Sequence, residues 1–296
     1  MGLFNKPFLN NSKNQNNSKP KGKVIAFINQ KGGVGKTTMA FNTAYALSEK
    51  GHKVLCLDLD PQANLSLLFG VDTAESGDYS IHHLLINSVR ELRALHVPLL
   101  CGELIVKDQK VHLLPAGQEL SGFELSVAGI NSPRQLVLKK FLEKNALLEQ
   151  YDYIVVDCPP TLGLLVVNIL CASDGVMVPF RPDEFSRKGL GHFYEALEDI
   201  GEMGVSDPPV VLAHIPNLVD ARRKQEADDL AKITGELKEA FGNEKMVPPF
   251  FNRAQLVKGQ AKKKSVFAFS GKDYKGLQEQ FSQMATIVEE EWSHEH

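Results

Sequence analysis

Short apolar runs alternate with amphipathic stretches along most of the chain. Five continuous apolar runs of strand length predict buried β-strands at 23–29, 53–59, 151–157, 175–180 and 210–215. Apolar residues at helical spacing predict helices at 36–50, 133–149, 161–173, 184–203, 221–241 and 274–292. Apolar strands that alternate with helices are typical of parallel sheets buried on both faces. The pattern therefore predicts an α/β fold: a mostly parallel, twisted sheet with helices on both faces.

Two segments depart from this alternation. Residues 1–22 are rich in Asn, Lys, Ser and Pro and cannot bury a core, so we predict a disordered polar arm. Residues 70–130 are less regular, and within them 104–116 predicts a hairpin that turns around Asp108 and Gln109. No linker composition interrupts the remainder, so residues 23–296 are predicted to form one domain.

The charge balance excludes a protein that is basic overall. The chain carries 33 Lys and Arg against 36 Asp and Glu, a formal net charge of −3, which still allows a local basic surface. The cysteines Cys56, Cys101, Cys158 and Cys171 show no C-x-x-C spacing, which favours a reduced, cytoplasmic protein. No apolar run reaches the roughly 18–20 residues that span a bilayer.

A glycine-rich stretch, NQKGGVGKTT at 29–38, stands between the first predicted strand and the first predicted helix. Backbone N–H groups at such a loop and helix N-terminus attract phosphate, and glycines let them turn toward it without Cβ clashes. Lys36 can reach the β- and γ-phosphates, and the Thr37 hydroxyl can ligate Mg²⁺. The predicted nucleotide-binding residues of this loop are Gly32, Gly33, Val34, Gly35, Lys36, Thr37 and Thr38. The loop departs from the common pattern because Gln30 replaces its first glycine and a second lysine, Lys31, follows.

Acidic residues end two of the predicted strands. Asp157 closes the run YDYIVVD, where a carboxylate can hold Mg²⁺, usually through water. Asp58 and Asp60 follow the second strand in DLDPQAN, and an aspartate there can position an attacking water. Asp58 has an equally good second interpretation, in which it only supports the loop.

These motifs together resemble the ParA/MinD family, the P-loop ATPases with a deviant Walker A motif. The resemblance spans about residues 23–290 and rests on KGGVGKTT, DLDPQAN, YDYIVVDCPPTLGLLVVNIL, ASDGVMVPF and NLVDARRK, which match the ParA/Soj branch. It implies that Lys31 reaches across an ATP-sandwich homodimer to the partner's phosphates. It also implies that Asp60 is needed for hydrolysis, that Asp157 is the Walker B acid and that Asn217 contacts adenine. The Pro248-Pro249 turn resembles the backbone that covers the other edge of the base.

The family includes members that bind membranes and members that bind DNA. MinD-like chains end in a basic amphipathic helix, whereas Glu289, Glu290 and Glu291 here would be repelled by anionic lipid, so we expect no membrane partner. ParA-like chains bind DNA nonspecifically through basic residues, which contact phosphates rather than bases. The candidate DNA-binding residues are Arg222, Arg223, Lys224, Arg253, Lys258, Lys262, Lys263 and Lys264. Around 252–266 the sequence departs from the family's arginine pattern, which favours contacts through the lysine run.

The resemblance implies a Mg²⁺-dependent ATP hydrolase that partitions a plasmid or chromosome. ATP would drive dimerisation and nonspecific DNA binding on the nucleoid, and a ParB-like centromere-binding protein, with DNA, would stimulate hydrolysis. A relative that positions another cargo, such as a protein cluster or flagellar or division machinery, would share every motif. An iron–sulfur reductase would need cysteines that bridge a dimer, which Cys101 and Cys158 match poorly. A DNA-binding scaffold without turnover would not need Asp60 and Asp157.

Overall fold

The computed structural model describes residues 21–72, 80–89, 97–108, 110–130, 133–220, 222–242 and 245–293. The predicted polar arm lies outside the described residues except for its last two positions. Gly22, which we assigned to that arm, belongs instead to the folded body. Its backbone N–H donates to Leu148 O at 2.7 Å, and a Cβ at this position would stand 2.0 Å from Tyr151 O.

Within these described ranges, seven strands form one sheet in the order β3-β4-β2-β5-β1-β6-β7. The strands are β1 (Lys23–Phe27), β2 (Val54–Asp58), β3 (Val106–Lys107), β4 (Val111–Leu114), β5 (Tyr153–Asp157), β6 (Gly175–Phe180) and β7 (Val210–Pro216). Every pairing is parallel except that of β3 with β4, which forms the predicted hairpin. The predicted turn residue Gln109 lies outside the described residues. The predicted mostly parallel α/β sheet is confirmed.

Twelve helices are described on the two sides of this sheet. They are α1 (Lys36–Glu49), α2 (Asn64–Leu68), α3 (Ile81–Ser88), α4 (Val97–Leu104), α5 (Phe123–Ser126), α6 (Val137–Lys144), α7 (Leu147–Gln150), α8 (Leu164–Ala172), α9 (Glu184–Met203), α10 (Lys224–Phe241), α11 (Ala254–Ala261) and α12 (Lys272–Glu291). Short 3-10 turns at Gln118–Gly122, Arg134–Leu136 and Val266–Ala268 complete the described elements.

The two faces of the sheet support two separate apolar layers, because side chains alternate along each strand. Ile25, Phe27 and Val155 pack with α1 and α12 on one face, and the alternate strand residues pack with α3, α6, α8 and α9 on the other. On the first face, Phe281 of α12 is fully buried. The apolar side of the last helix is thus part of the core, and no described helix is long and apolar enough to cross a membrane.

The predicted helix at 133–149 is wrong in its continuity. It is a 3-10 turn followed by α6 and α7, and Ala146 between them has a left-handed φ of 49°. That backbone interrupts the helical hydrogen-bond ladder, so α6 and α7 are two separate helices. Helices α2 to α5 and α11 were not predicted at all, since such short helices leave little room for a periodic signal.

The carboxyl ends of the central strands bring distant residues together. Asp157 of β5 stands in register with Phe27 of β1 on one side and with Asp58 of β2 on the other. In open parallel sheets, ligands bind in the crevice outside the carboxyl ends of the strands, at the point where the strand order reverses. The glycine-rich loop leaves β1 at the same edge.

Candidate nucleotide and magnesium site

The loop between β1 and α1 has the backbone of an anion-binding turn. Gly33 and Gly35 hold left-handed φ values of 72° and 91°, which side chains with a Cβ rarely adopt. The first hydrogen bond of α1 runs from Met39 N to Gly35 O at 2.9 Å. The N–H groups of residues 36–38 therefore precede the helical ladder and face outward with the positive end of the helix dipole.

Asn217, which directly follows β7, supports this loop. Its Nδ2 donates to Val34 O at 2.8 Å, and a Cβ on Gly35 would lie 2.3 Å from the same nitrogen. Glycine is therefore required at position 35 by both conformation and space. The Oδ1 of Asn217 is buried and has no hydrogen-bond partner within the described residues, so it remains available to an N–H donor of a bound ligand.

The two lysines of the loop occupy different surroundings. Lys36 is buried at the start of α1 with 6% exposure. The Lys31 ammonium is one-third exposed and donates a hydrogen bond to Asp183, the residue that precedes α9. It also lies 6.0 Å from the centre of the Phe185 ring, which is 80% exposed. Lys31 is thus held on the surface of its own chain.

Asp157 supplies the structural argument for a cation. The residue is fully buried, and neither carboxylate oxygen has a hydrogen-bond partner within the described part of the chain. Burial, and then the charge of Asp58, raise the pKa of Asp157 well above its usual range, while neighbouring Thr37 and Lys36 lower it only in part. A buried carboxylate without partners is costly unless a cation balances it. Asp157 and the Thr37 hydroxyl form an oxygen-ligand set suited to hydrated Mg²⁺.

Asp58 is the support of the loop that follows β2. Its Oδ2 accepts hydrogen bonds from the backbone and hydroxyl of Ser66, both at 2.7 Å, and its Oδ1 accepts from Asp60 N at 3.2 Å. Burial nevertheless raises the pKa of Asp58 to about 7. Of the two interpretations left open by the sequence, the structure favours the supporting one. Ser66 was not singled out from the sequence, because nothing local marks a serine eight residues after its partner.

Asp60 lies on that supported loop, two residues past the end of β2. Its Oδ1 accepts from Gln62 N at 3.0 Å, and the residue is 8% exposed. This hydrogen bond fixes the direction of the carboxylate. Because β2 and β5 are neighbouring parallel strands, Asp60 is a restrained acid at the same sheet edge as Asp157.

Six of the eight candidate DNA-binding residues fall into two groups. Arg222 and Arg223 form ion pairs with Asp220, and Arg223 also pairs with Glu226, so acids neutralise much of this first group. The second group lies on α11 and the turn after it and comprises Lys258, Lys262, Lys263 and Lys264. All four are exposed, and none forms an ion pair within the described residues. Lys224 begins α10, and Arg253 precedes α11.

The Pro248-Pro249 turn lies beside α10 and the end of β7. Both prolines line a cavity of about 600 Å³ together with residues of α10. Backbone hydrogen bonds from Phe250 N to Pro216 O and from Val219 N to Phe250 O tie this turn to the end of β7, next to Asn217. The turn and Asn217 are therefore neighbours, as the resemblance implies.

The four cysteines are buried, free thiols. Burial raises the pKa of Cys101 to about 12, and it also raises the pKa of Cys158 well above its usual range. Among the described residues no group of three or more His, Cys, Asp or Glu side chains could hold a metal ion. Buried, protonated thiols cannot bridge two chains through a cluster, so the geometry disfavours the iron–sulfur alternative.

A glycine-rich phosphate loop between the first strand and first helix of a parallel sheet, with an acid at the end of a neighbouring strand, defines a P-loop NTPase. The family model described as "AAA domain" (AAA_31) matches residues 22–206. The uncharacterized protein MJECL24 of Methanocaldococcus jannaschii is 33% identical over 90% of this chain and 97% of its own length. The chromosome partitioning protein ParA of Caulobacter vibrioides is 32% identical over 71% of this chain and 74% of its own length.

Solved structures share the fold across nearly the whole chain. Cobyrinic acid a,c-diamide synthase from Mycobacterium smegmatis, with bound ATP analogue and magnesium, is 27% identical with a TM-score of 0.71, covering 92% of this chain and 95% of that one. A variant of Cyanothece McdA in complex with ATP is 21% identical with a TM-score of 0.76, covering 91% and 97%. A putative plasmid partition protein from Borrelia burgdorferi, bound to AMPPNP, is 23% identical with a TM-score of 0.69, covering 92% and 100%. The chain belongs to the ParA/MinD family of P-loop ATPases.

Proposed function

We propose that this chain is a Mg²⁺-dependent ATP hydrolase that dimerises on ATP, binds DNA nonspecifically and partitions a plasmid or chromosome. A ParB-like partner and DNA would stimulate hydrolysis, and the protein would work in the cytoplasm on the nucleoid. Residues 23–296 would form the ATPase domain, preceded by a polar arm. The observation that carries the proposal is the difference in surroundings of the two lysines. Lys36 is buried at the start of α1, whereas Lys31 is held at the surface by Asp183.

The nucleotide part rests on the residues that surround the loop. The outward N–H groups at the start of α1 and the Lys36 ammonium would bind the phosphates, and the Oδ1 of Asn217 would accept a hydrogen bond from the base. Asp157 and Thr37 would hold Mg²⁺, which neutralises charge on the β- and γ-phosphates. Asp60 would orient the attacking water. The relative that binds an ATP analogue with magnesium supports this choice of ligand and ion.

The dimer part rests on Lys31. A cation at the surface of one chain can stabilise phosphate charge in a second chain, which makes hydrolysis depend on dimerisation. Phe185 beside it is a large exposed ring, of the kind that two chains cover when they meet. On dimerisation, the Lys31 ammonium would leave Asp183 and bind the phosphates held by the partner subunit.

The DNA part rests on the unpaired lysines of α11 and its turn. Their exposure on a mildly acidic protein suits backbone contact without base reading. The similarity to chromosome partitioning protein ParA supports partition as the process. The fold is shared both with McdA and with a putative plasmid partition protein, so transport of another cargo is the second candidate.

The experiment is binding to random-sequence duplex DNA with no nucleotide, with ADP, with ATP and with a slowly hydrolysed ATP analogue, each across a salt series. Binding only with ATP or the analogue supports the proposal. If about six phosphates are neutralised, log affinity falls with log salt at a slope of about −5. ATPase rates with and without DNA and a ParB-like partner complete the test.

The outcomes separate the two candidates. Absence of DNA binding in every nucleotide state, with ATPase activity intact, would refute DNA-based partition and favour the second candidate. Absence of ATP hydrolysis under all conditions would refute the proposed ATPase activity. A Lys258→Ala, Lys262→Ala double variant should lower the salt slope, whereas the same change at Lys272 and Lys275 of α12 is a matched control for lost charge.

A further inference from the structure

The lysines that follow α11 form a compact turn, which we call the lysine turn (Lys262–Lys264). Lys263 N donates to Gln260 O at 2.9 Å, and Lys264 N donates to Gly259 O at 3.0 Å. These two bonds close the end of α11 in a Schellman motif. The turn therefore has a defined shape, and its position depends on whatever holds its two ends.

Both ends of the lysine turn are fastened to α1. On the near side, Gln260 Nε2 donates to Thr38 Oγ1 at 2.5 Å. On the far side, Val266 N donates to Asn42 Oδ1 at 2.8 Å, and Asn42 Nδ2 donates to Thr38 O at 2.9 Å. Thr38 and Asn42 are one turn apart on α1 and so share one side of that helix. The position of the lysine turn is thus set by the first two turns of α1.

Those turns of α1 are the ones that begin at the phosphate loop. Thr38 is the last residue whose N–H precedes the helical ladder, since that ladder starts at Met39. Its backbone N–H therefore faces the phosphate side, while its hydroxyl accepts the hydrogen bond from Gln260. Thr38 is buried, whereas Gln260 is exposed apart from this contact. One residue thus contacts both the nucleotide loop and the basic surface.

We propose that Gln260 is a positioning residue that couples the nucleotide state of the phosphate loop to DNA contact by the lysine turn. This inference rests on the proposed function. A phosphate that binds or leaves at the start of α1 shifts Thr38, and Gln260 passes that shift to α11. Such coupling is reciprocal, so DNA must raise affinity for the ATP state by the same factor that ATP raises affinity for DNA.

The test compares wild type with Gln260→Met, which keeps length and volume but cannot donate to Thr38. Affinity for a random-sequence duplex is measured with ADP and with a slowly hydrolysed ATP analogue, and the ratio of the two affinities is the readout. We expect the ratio to fall about fivefold or more in Gln260→Met. The salt slope should stay unchanged, because every lysine remains. Reciprocally, DNA should raise affinity for the analogue less in the variant than in wild type.

A matched control variant sharpens the test. Gln255→Met removes the same side chain from the same helix at a position without a hydrogen bond in the described residues, and it should keep the wild-type ratio. An unchanged ratio in Gln260→Met, with ATP-dependent binding in wild type, would overturn the coupling alone. A wild type that binds DNA in no state, or equally in all, would overturn the proposed function and the inference with it.

Discussion

Lys31 and Asp183, 152 positions apart in sequence, form an ion pair within a single chain. Asp183 is also the N-cap of α9, because its other carboxylate oxygen accepts from Ser186 N at 2.8 Å. Burial tends to raise the pKa of Asp183, but the hydrogen bonds from Lys31 and Ser186 outweigh it and leave the pKa below its usual value. The lysine proposed to act on a second chain is thus restrained by a residue that also begins a helix.

Replacing Asp183 by Asn should promote ATP-dependent dimerisation. The amide oxygen can still cap α9, but the charge that holds Lys31 is gone, so the ammonium leaves more easily for the partner's phosphates. We expect the concentration of half-dimerisation with a slowly hydrolysed analogue to fall several-fold, measured by sedimentation. Asp183→Ala should share this effect and also lose about 1 kcal/mol of stability with its cap. Unchanged dimerisation in Asp183→Asn would show that the pair does not restrain Lys31.

Replacing Asp60 by Asn should separate hydrolysis from binding. The amide can still accept the hydrogen bond from Gln62 N, so the loop should keep its shape. It cannot orient water as a carboxylate does, and we expect the partner-stimulated ATPase rate to fall about 100-fold or more. Dimerisation on ATP should persist and last longer. A variant that hydrolyses at the wild-type rate would refute the role assigned to Asp60.

Replacing Asp157 by Asn should stabilise the protein in the absence of Mg²⁺. The pKa of Asp157 is higher in the folded chain than in the unfolded one, so its ionisation opposes folding as pH rises above the unfolded value. We expect a gain of about 1–3 kcal/mol in the free energy of unfolding in EDTA at pH 7. Mg²⁺ with nucleotide should then stabilise the variant less than wild type.

The control lies at the other end of the same strand. Asp152 precedes β5, and its Oδ2 accepts from Lys53 N at 2.7 Å. An Asp152→Asn change removes one charge at a residue that already has a hydrogen-bond partner. Its stability in EDTA should not rise. A gain of the same size there would mean that net charge, rather than the unpartnered carboxylate, explains the effect at Asp157.

The sheet and the position of the glycine-rich loop between β1 and α1 could be predicted because their signals are local. The run 151–157 and the loop at 29–38 each carry their pattern within about ten residues, and parallel strands place their carboxyl ends together by geometry alone. The hairpin with β3 followed from the same kind of local pattern. Cys56 lies within β2 and Cys158 directly follows β5, and both are fully buried.

The remaining features depend on contacts between distant parts of the chain. Neither the pairing of Lys31 with Asp183 nor that of Gln260 with Thr38 has any periodic signal. The pairing of Arg222 is a different case. Asp220 stands only two residues before Arg222, so this ion pair could have been predicted from the sequence. The expectation that Glu289 contributes an unpaired negative charge at the C-terminal region was also incomplete, since Glu289 pairs with Lys50 and His52.

Replacing Lys263 by Gly should stabilise the fold and weaken DNA binding. Lys263 has a left-handed φ of 53° at the C′ position of the Schellman motif, where glycine is preferred. Relief of that backbone strain should raise the free energy of unfolding by about 1 kcal/mol. Loss of one phosphate contact should make the salt slope shallower by about 0.9. Lys263→Ala, as control, should lose the same slope without the gain in stability.

His214 on β7 should make stability fall as the solution is acidified. Its Nδ1 lies 3.0 Å from Lys245 O, which can only accept, so Nδ1 carries the proton and the unprotonated Nε2 accepts from the Tyr194 hydroxyl. Burial lowers the pKa of His214 to about 4, and the hydrogen bond to Lys245 O opposes this shift only in part. Below the unfolded value near 6.5 the unfolded chain binds a proton that the folded chain excludes. The resulting loss approaches about 1.4 kcal/mol per pH unit until the folded pKa is reached.

Urea unfolding of wild type and His214→Gln between pH 7 and pH 4.5 measures this contribution. Glutamine can donate to Lys245 O and accept from Tyr194 but does not titrate, so its free energy of unfolding should fall less steeply with pH. Other groups titrate equally in both proteins, and the difference between the two slopes isolates His214. His192→Gln, an exposed histidine on α9, is the comparison for loss of one imidazole. Parallel curves for wild type and His214→Gln would mean that the buried imidazole is protonated in the folded chain, contrary to the hydrogen bonds around it.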